Sequence, residues 1–204
     1  MKRLFTTACL LLALTFSAAA QTTEDDTIYF EPQHIENKAG DQNIRLALGL
    51  VFPLNFPDIP SLFETDGTQL SLGGMGSLGY HRFIAKDFAL GFDVSFGFNP
   101  TIGSHIFNYV PILFSAMYQP TWNKLEFPLT LNIGFAWESY NNDNYFPGLI
   151  IKPEIGVHYR FNQDWSAGLE ASYIFMPQFC ELYGTGENYF GQFATISAVA
   201  RYYF

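Results

Sequence analysis

The chain has 204 residues, a net charge of −9, 18% aromatic residues and only 14% charged ones. Ordinary soluble domains carry about 25% charged residues, and the acidic balance leaves no basic face for nucleic acid. Beyond the N-terminus no stretch reaches about 18 consecutive apolar residues, which excludes a helical membrane protein.

Met1-Lys2-Arg3, the apolar stretch Leu4 to Phe16 and then Ser17-Ala18-Ala19-Ala20-Gln21 have the basic start, short apolar core and A-x-A site of a secretory signal peptide. Residues 1–20 are therefore expected to be removed, with cleavage after Ala20. Cys9 is followed by more apolar residues, so it does not read as a lipid-anchored cysteine. Cys180 is then the single thiol of the mature chain, which rules out an internal disulfide and reads as a tolerated loop cysteine. An exported, apolar chain without transmembrane helices points to a closed sheet, because backbone groups in lipid must be paired within helices or barrels.

Residues 21–42 are polar and acidic and lack a sustained period. They read as an exposed periplasmic arm. From Asn43 the period becomes 2. Ile44, Leu46, Leu48, Leu50 and Phe52 share one face, and Arg45, Ala47, Gly49 and Val51 the other. The segment Phe88 to Asn99 alternates most clearly, with Phe88, Leu90, Phe92, Val94, Phe96 and Phe98 against Ala89, Gly91, Asp93, Ser95, Gly97 and Asn99. Lipid covers such an apolar face without a second sheet, and the small polar face lines the interior.

The pattern recurs eight times and predicts strands near 43–53, 69–81, 87–99, 108–119, 125–138, 148–160, 164–176 and 192–204. Each is about 9–11 residues plus overhang, the length of a tilted membrane strand. Gly73, Gly74 and Gly76 interrupt the second strand, while Pro111 and Pro153 sit inside strands where a ladder donor is needed. Short connections fall near His81–Lys86, Pro120–Lys124 and Phe161–Gln163. Long ones run Leu54–Thr68, Pro100–Phe107, Ser139–Pro147 and Pro177–Gly191. Small outer-membrane barrels have short periplasmic turns and longer extracellular loops, so both termini are expected in the periplasm. Outward aromatics then gather at the periplasmic ends (Tyr80, Phe88, Tyr118, Phe127, Tyr159, Trp165, Tyr202, Phe204) and at the opposite ends (Phe52, Phe98, Trp137, Phe175). Aromatic belts at both membrane interfaces follow from an apolar ring with a polar tip.

The last strand ends Ala198-Val199-Ala200-Arg201-Tyr202-Tyr203-Phe204. A terminal Phe preceded by outward residues at alternate positions resembles the C-terminal strand of bacterial outer-membrane barrels. That resemblance implies recognition of Tyr202 and Phe204 by the barrel assembly machinery, with periplasmic chaperones and outer-membrane lipids as further partners. The chain resembles the small eight-stranded group of the OmpA barrel domain, OmpX and OmpW, which implies an all-β, eight-stranded antiparallel up-and-down transmembrane barrel over 43–204. The segments Phe127 to Gly134 and Pro147 to Glu154 are similar to small barrels of spirochaetes.

The predicted interior holds Arg45, Asp93, Lys152, Glu154, His158, Glu170 and Arg201, with Arg160 nearer the periplasmic rim. An eight-stranded barrel is just wide enough to be filled by side chains, and buried charges there need partners. Two readings follow: an ion-pair network that plugs the barrel, favoured, or a narrow polar pathway. Arg45 and Arg201 fall on neighbouring strands if the barrel closes, and would repel unless acids reach between them.

Catalysis needs an activated nucleophile beside a base. His105 follows Ser104 in a loop with no nearby acid, and reads as a surface histidine. No spaced metal-ligand cluster, phosphate loop or cofactor motif occurs, so no catalytic, metal or cofactor residue is assigned. The long loops carry Asp58, Glu64, Asp66, Asp143, Glu181 and Glu187 without a Lys or Arg. That surface suits solubility or contact with a cationic ligand, and does not suit arginine clamping of phosphates. Apolar loop residues such as Phe56, Leu62, Phe179 and Tyr183 could pack over the mouth or seat an apolar molecule. The expected function is a structural or surface-interaction barrel, with an extracellular ligand as a further partner. The alternative is a transporter or narrow channel for small or hydrophobic solutes. A lipid-modifying enzyme ranks third, and a soluble lipocalin-like barrel is the competing fold.

Overall fold

The structure, a computed structural model, describes residues 36–54, 70–101, 105–140, 143–178 and 189–204. Of two compact units, Met1–Gln33 lies outside the described residues and His34–Phe204 carries the barrel. The predicted signal peptide, most of the arm and the loop acids Asp58, Glu64, Asp66, Glu181 and Glu187 also lie outside them.

Eight long strands form the staves: β1 (Gln42–Pro53), β2 (Gly73–Ala85), β3 (Phe88–Pro100), β4 (Ile106–Tyr118), β7 (Leu129–Tyr140), β8 (Asp143–Arg160), β9 (Trp165–Gln178) and β10 (Tyr189–Tyr203). Two-residue arms, β5 (Thr121–Trp122) and β6 (Leu125–Glu126), make a small hairpin between β4 and β7. Each stave pairs antiparallel with its sequence neighbour, and β1 pairs with β10, so the sheet closes. At the seam Gln42 and Phe204 exchange backbone hydrogen bonds of 3.1 and 3.0 Å. Closure removes the sheet edge, the condition for strands to stand in lipid.

The two-residue period sets which side is greasy. Leu48 is 67% exposed and Phe92 55%, while Arg45 and Asp93, one side chain out of phase, are buried. A soluble lipocalin-like barrel has the reverse polarity. Outward aromatics stand near both ends, with Trp165 against Tyr202 at a centroid separation of 5.0 Å and Trp137 against Phe146 at 5.7 Å.

Four expectations need correction. The second strand runs to Ala85, so the predicted 69–81 lies about four residues early. The turn there is Lys86-Asp87 rather than His81–Lys86. Asp87 takes φ 58° beside a register shift at Phe83/Ala85, a short hairpin built on a left-handed residue and a bulge. The predicted strand 125–138 is broken, because Phe127 and Pro128 separate β6 from β7; Pro128 has no N–H for a ladder. The expected long loop Ser139–Pro147 is instead the tip of an extended hairpin, with Tyr140 paired to Asp143. Asp143 thus stands at the head of a strand.

The two strand prolines interrupt the ladder locally. Pro111 and Val110 have no partner on β3, and Lys152 and Pro153 none on β9. Pairing resumes on both sides of Pro111 and from Glu154 to Arg160 beyond Pro153, which is how a strand tolerates a missing donor.

Candidate functional site

The interior is stacked in three layers. At the long-loop end, Val51, Met75, Phe107, Tyr109, Leu113, Ala136, Ile150, Ile174, Met176 and Phe193 form a buried apolar cluster. The rings of Phe107, Tyr109 and Phe193 meet pairwise at 5.5 to 6.3 Å. At the short-turn end, Phe83, Ala89, Met117 and Tyr203 form a second cluster. The charged residues lie between them.

Arg45 is the hub of the middle layer. Its Nη1 donates to Asp93 Oδ2 at 3.0 Å and to Ser77 Oγ at 2.7 Å, its Nε to Glu170 Oε2 at 2.8 Å, and its Nη2 to Glu154 Oε2 at 3.2 Å. Lys152 Nζ lies 3.0 Å from the same Glu154 oxygen. Arg201 Nη2 donates to Glu170 Oε1 at 2.7 Å, and its Nη1 donates to Gln119 Oε1. His158 Nε2 sits 3.0 Å from Glu170 Oε1. The seven residues expected inside thus form one connected cluster, drawn from β1, β3, β8, β9 and β10. Inward parity on each strand supplies the side chains, and closure of β1 on β10 brings the two ends of the chain together. Planar guanidinium groups suit this site because each reaches several carboxylates at once.

A smaller set sits below. Arg160 Nη1 lies 3.1 Å from Glu126 Oε1, and Tyr203 Oη donates to Glu126 Oε2 at 2.8 Å. The Arg160 guanidinium stacks over the Tyr203 ring at 3.7 Å. Asn37, at the end of the arm, is buried and accepts from Arg160 Nη1 at 2.8 Å. Glu36 holds Lys86 at 3.1 Å outside the barrel and raises the lysine's pKa through that bond. The arm's last residues therefore close the short-turn end.

Sequence reading passed over Glu126 and Glu138, both buried. The signal was present: Phe127 and Trp137 read as outward, which turns both acids inward. It also passed over the apolar layer, because Tyr109, Leu113, Ile150 and Phe193 were not separated by height from the charges. Tyr202 and Phe204 face outward and are 39% and 56% exposed. His105 accepts through its carbonyl from the Thr101 hydroxyl at 3.0 Å. Among the described residues no group of three or more His, Cys, Asp or Glu side chains is placed to hold a metal. No helix among them is long and apolar enough to cross a membrane, which says nothing against crossing by strands.

A family model for treponemal proteins of unknown function matches residues 22–202. An uncharacterized protein of Treponema pallidum (strain Nichols) is 34% identical over 140 residues, 65% of this chain and 60% of that protein. An uncharacterized protein of Borreliella burgdorferi (strain ATCC 35210 / DSM 4680 / CIP 102532 / B31) is 29% identical over 158 residues, 67% of this chain and 72% of that one. The chain thus spans 60% of the length of the first of these relatives. Among solved structures, Neisserial surface protein A superposes with a TM-score of 0.63 at 14% identity, covering 80% of this chain and 98% of that one. The outer membrane protein OprG from Pseudomonas aeruginosa gives 0.51 at 12% identity, covering 82% and 97%. At such identities the likeness establishes the fold, that of a small eight-stranded outer-membrane β-barrel.

Proposed function

Since this chain belongs to the treponemal family of unknown function whose model it matches and has the fold of a small outer-membrane barrel, we propose that it stands in the outer membrane as a non-enzymatic, side-chain-filled barrel acting through its surface. Both termini face the periplasm and the long loops face outward. Tyr202 and Phe204 serve as the assembly signal read by the barrel assembly machinery.

One observation carries this reading. The charged layer centred on Arg45 is closed above by the Phe107–Tyr109–Phe193 cluster and below by the Phe83–Met117–Tyr203 cluster. Water and ions crossing the barrel would have to displace both apolar layers and break charge-assisted bonds in low dielectric. The test is planar-bilayer conductance together with solute uptake in liposomes, on protein whose folding is verified by heat-modifiable gel migration. Absence of steady conductance and uptake is expected; reproducible single-channel steps would overturn the reading.

A second reading, passage of a small hydrophobic solute, has one specific support. The β8–β9 ladder lapses at Lys152 and Pro153, beside an apolar hollow of about 770 Å³ lined by Leu131, Pro153, Ile155, Ala171 and Tyr173. Uptake of an apolar solute without ionic conductance would favour it.

A further inference from the structure

The buried charges of the described barrel balance, with one acid left over. The bases are Arg45, Lys152, Arg160 and Arg201; the acids are Asp93, Glu126, Glu138, Glu154 and Glu170. Every one except Glu138 lies within ion-pair distance of an opposite charge. Glu138 is 2% exposed and has no partner among the described residues.

Its seat is defined. Glu138 stands two residues from the end of β7, beside Trp137 of the upper aromatic belt. Across β4–β7 it is in register with Tyr109, whose buried hydroxyl also lacks a partner among the described residues. Across β7–β8 its carboxyl lies over Gly148, where a Cβ would collide with Glu138 Oε1. Ala136 and Ile150, one inward step further from the mouth, belong to the apolar cluster. The carboxylate therefore sits above an apolar floor, packed over Gly148 where any larger residue would collide with it.

A buried carboxylate without a counter-charge is costly, and a proton or a cation relieves the cost. The segments leading to this end, 54–72, 101–107, 139–149 and 177–191, contain no Lys or Arg. They do contain Asp58, Glu64, Asp66, Asp143, Glu181 and Glu187.

We propose that Glu138 anchors a binding site for a small monovalent organic cation, a protonated amine, entering from the long-loop end. One carboxylate matches one positive charge. Hard divalent ions need about six oxygen ligands, more than the described residues supply here, whereas the ring of Tyr109, in register with Glu138, suits an ammonium with an apolar body. The site requires the barrel and is independent of whether the barrel conducts.

The test uses full-length protein in detergent with n-butylammonium chloride as the probe at pH 8. Binding to the folded state alone raises the unfolding midpoint, so a saturable rise is expected, while 1-butanol, of equal chain length without charge, gives none. Glu138→Gln should weaken the apparent affinity about tenfold or more, as loss of a buried ionic partner does. Gly148→Ala, which keeps the charge and fills its seat, should weaken it as well and serves as the second variant if the first fails to fold. An unchanged response in either folded variant overturns the proposal. So does a wild-type protein that fails to respond between about pH 6 and 9.

Discussion

Arg45 and Arg201 stand directly opposite each other across the β1–β10 seam, and both donate to the single carboxylate of Glu170, from opposite sides of it. Two like charges in register repel. The seam that closes the barrel is therefore held at this level by an acid from the third strand along. Because β1 and β10 are the two ends of the barrel chain, this contact ties together the most distant parts of the sequence.

Glu170→Gln leaves Arg45 with Asp93 and Glu154, and leaves Arg201 with Gln119 but no acid within ion-pair distance among the described residues. Removing one member of a buried network costs about 3–5 kcal/mol. The expected outcome is a lower unfolding midpoint, read by urea titration in detergent or by heat-modifiable migration, with conductance staying near zero. A large conductance at unchanged stability would point to the polar pathway instead. Arg201→Met combined with Glu170→Gln should recover part of the loss, since a hydrophobic replacement of a buried pair is often neutral.

Much of this network was legible in the sequence, for a definite reason. Parity along a strand assigns a side chain to one face without knowledge of its neighbours, so Arg45, Asp93, Lys152, Glu154, His158, Glu170 and Arg201 were all read as inward. Height was harder. It depends on register, and register depends on where turns begin, which is why the turn at Lys86-Asp87 was read too early. The upper apolar layer was missed for the same cause: Tyr109 from β4 and Phe193 from β10 meet only once the barrel is closed. Pairings such as Arg160 with Asn37 were out of reach, because an arm without a period gives no direction for its side chains.

The apolar layer should matter to stability in its own right. Phe193 is fully buried and packs on both Phe107 and Tyr109. Phe193→Ala removes the ring and leaves a cavity that the closed wall cannot collapse, at a cost of about 3–5 kcal/mol. Conductance should remain absent, since the Arg45 layer still blocks the bore. Ion flow in this variant alone would identify the aromatic layer as the whole barrier.

The turns make a narrower prediction. Asn123 takes φ 56° between β5 and β6, a conformation that asparagine and glycine tolerate and branched residues do not. Asn123→Gly should be close to neutral, whereas Asn123→Val should cost about 1–2 kcal/mol. Paired urea titrations of the two variants give the comparison, and equal midpoints would mean that the hairpin adopts another turn.

Leu48 tests what the outer face meets. It is 67% exposed, lies in the middle of β1 and has exposed Leu46 and Leu50 on either side along the same face. In lipid, Leu48→Arg places a charge in hydrocarbon, at a cost of about 2–4 kcal/mol near the midplane, falling towards the interfaces. Ile44→Arg, on the same face but near the short-turn end beside Tyr80 and Tyr202, should therefore cost less. Folding equilibria in liposomes give both values. On a face turned to water, neither arginine would destabilise and both would raise solubility, so equal, near-zero costs would remove lipid as the solvent of this surface. A graded cost, larger at residue 48 than at residue 44, is what a bilayer produces and what an uncovered patch on a soluble barrel cannot.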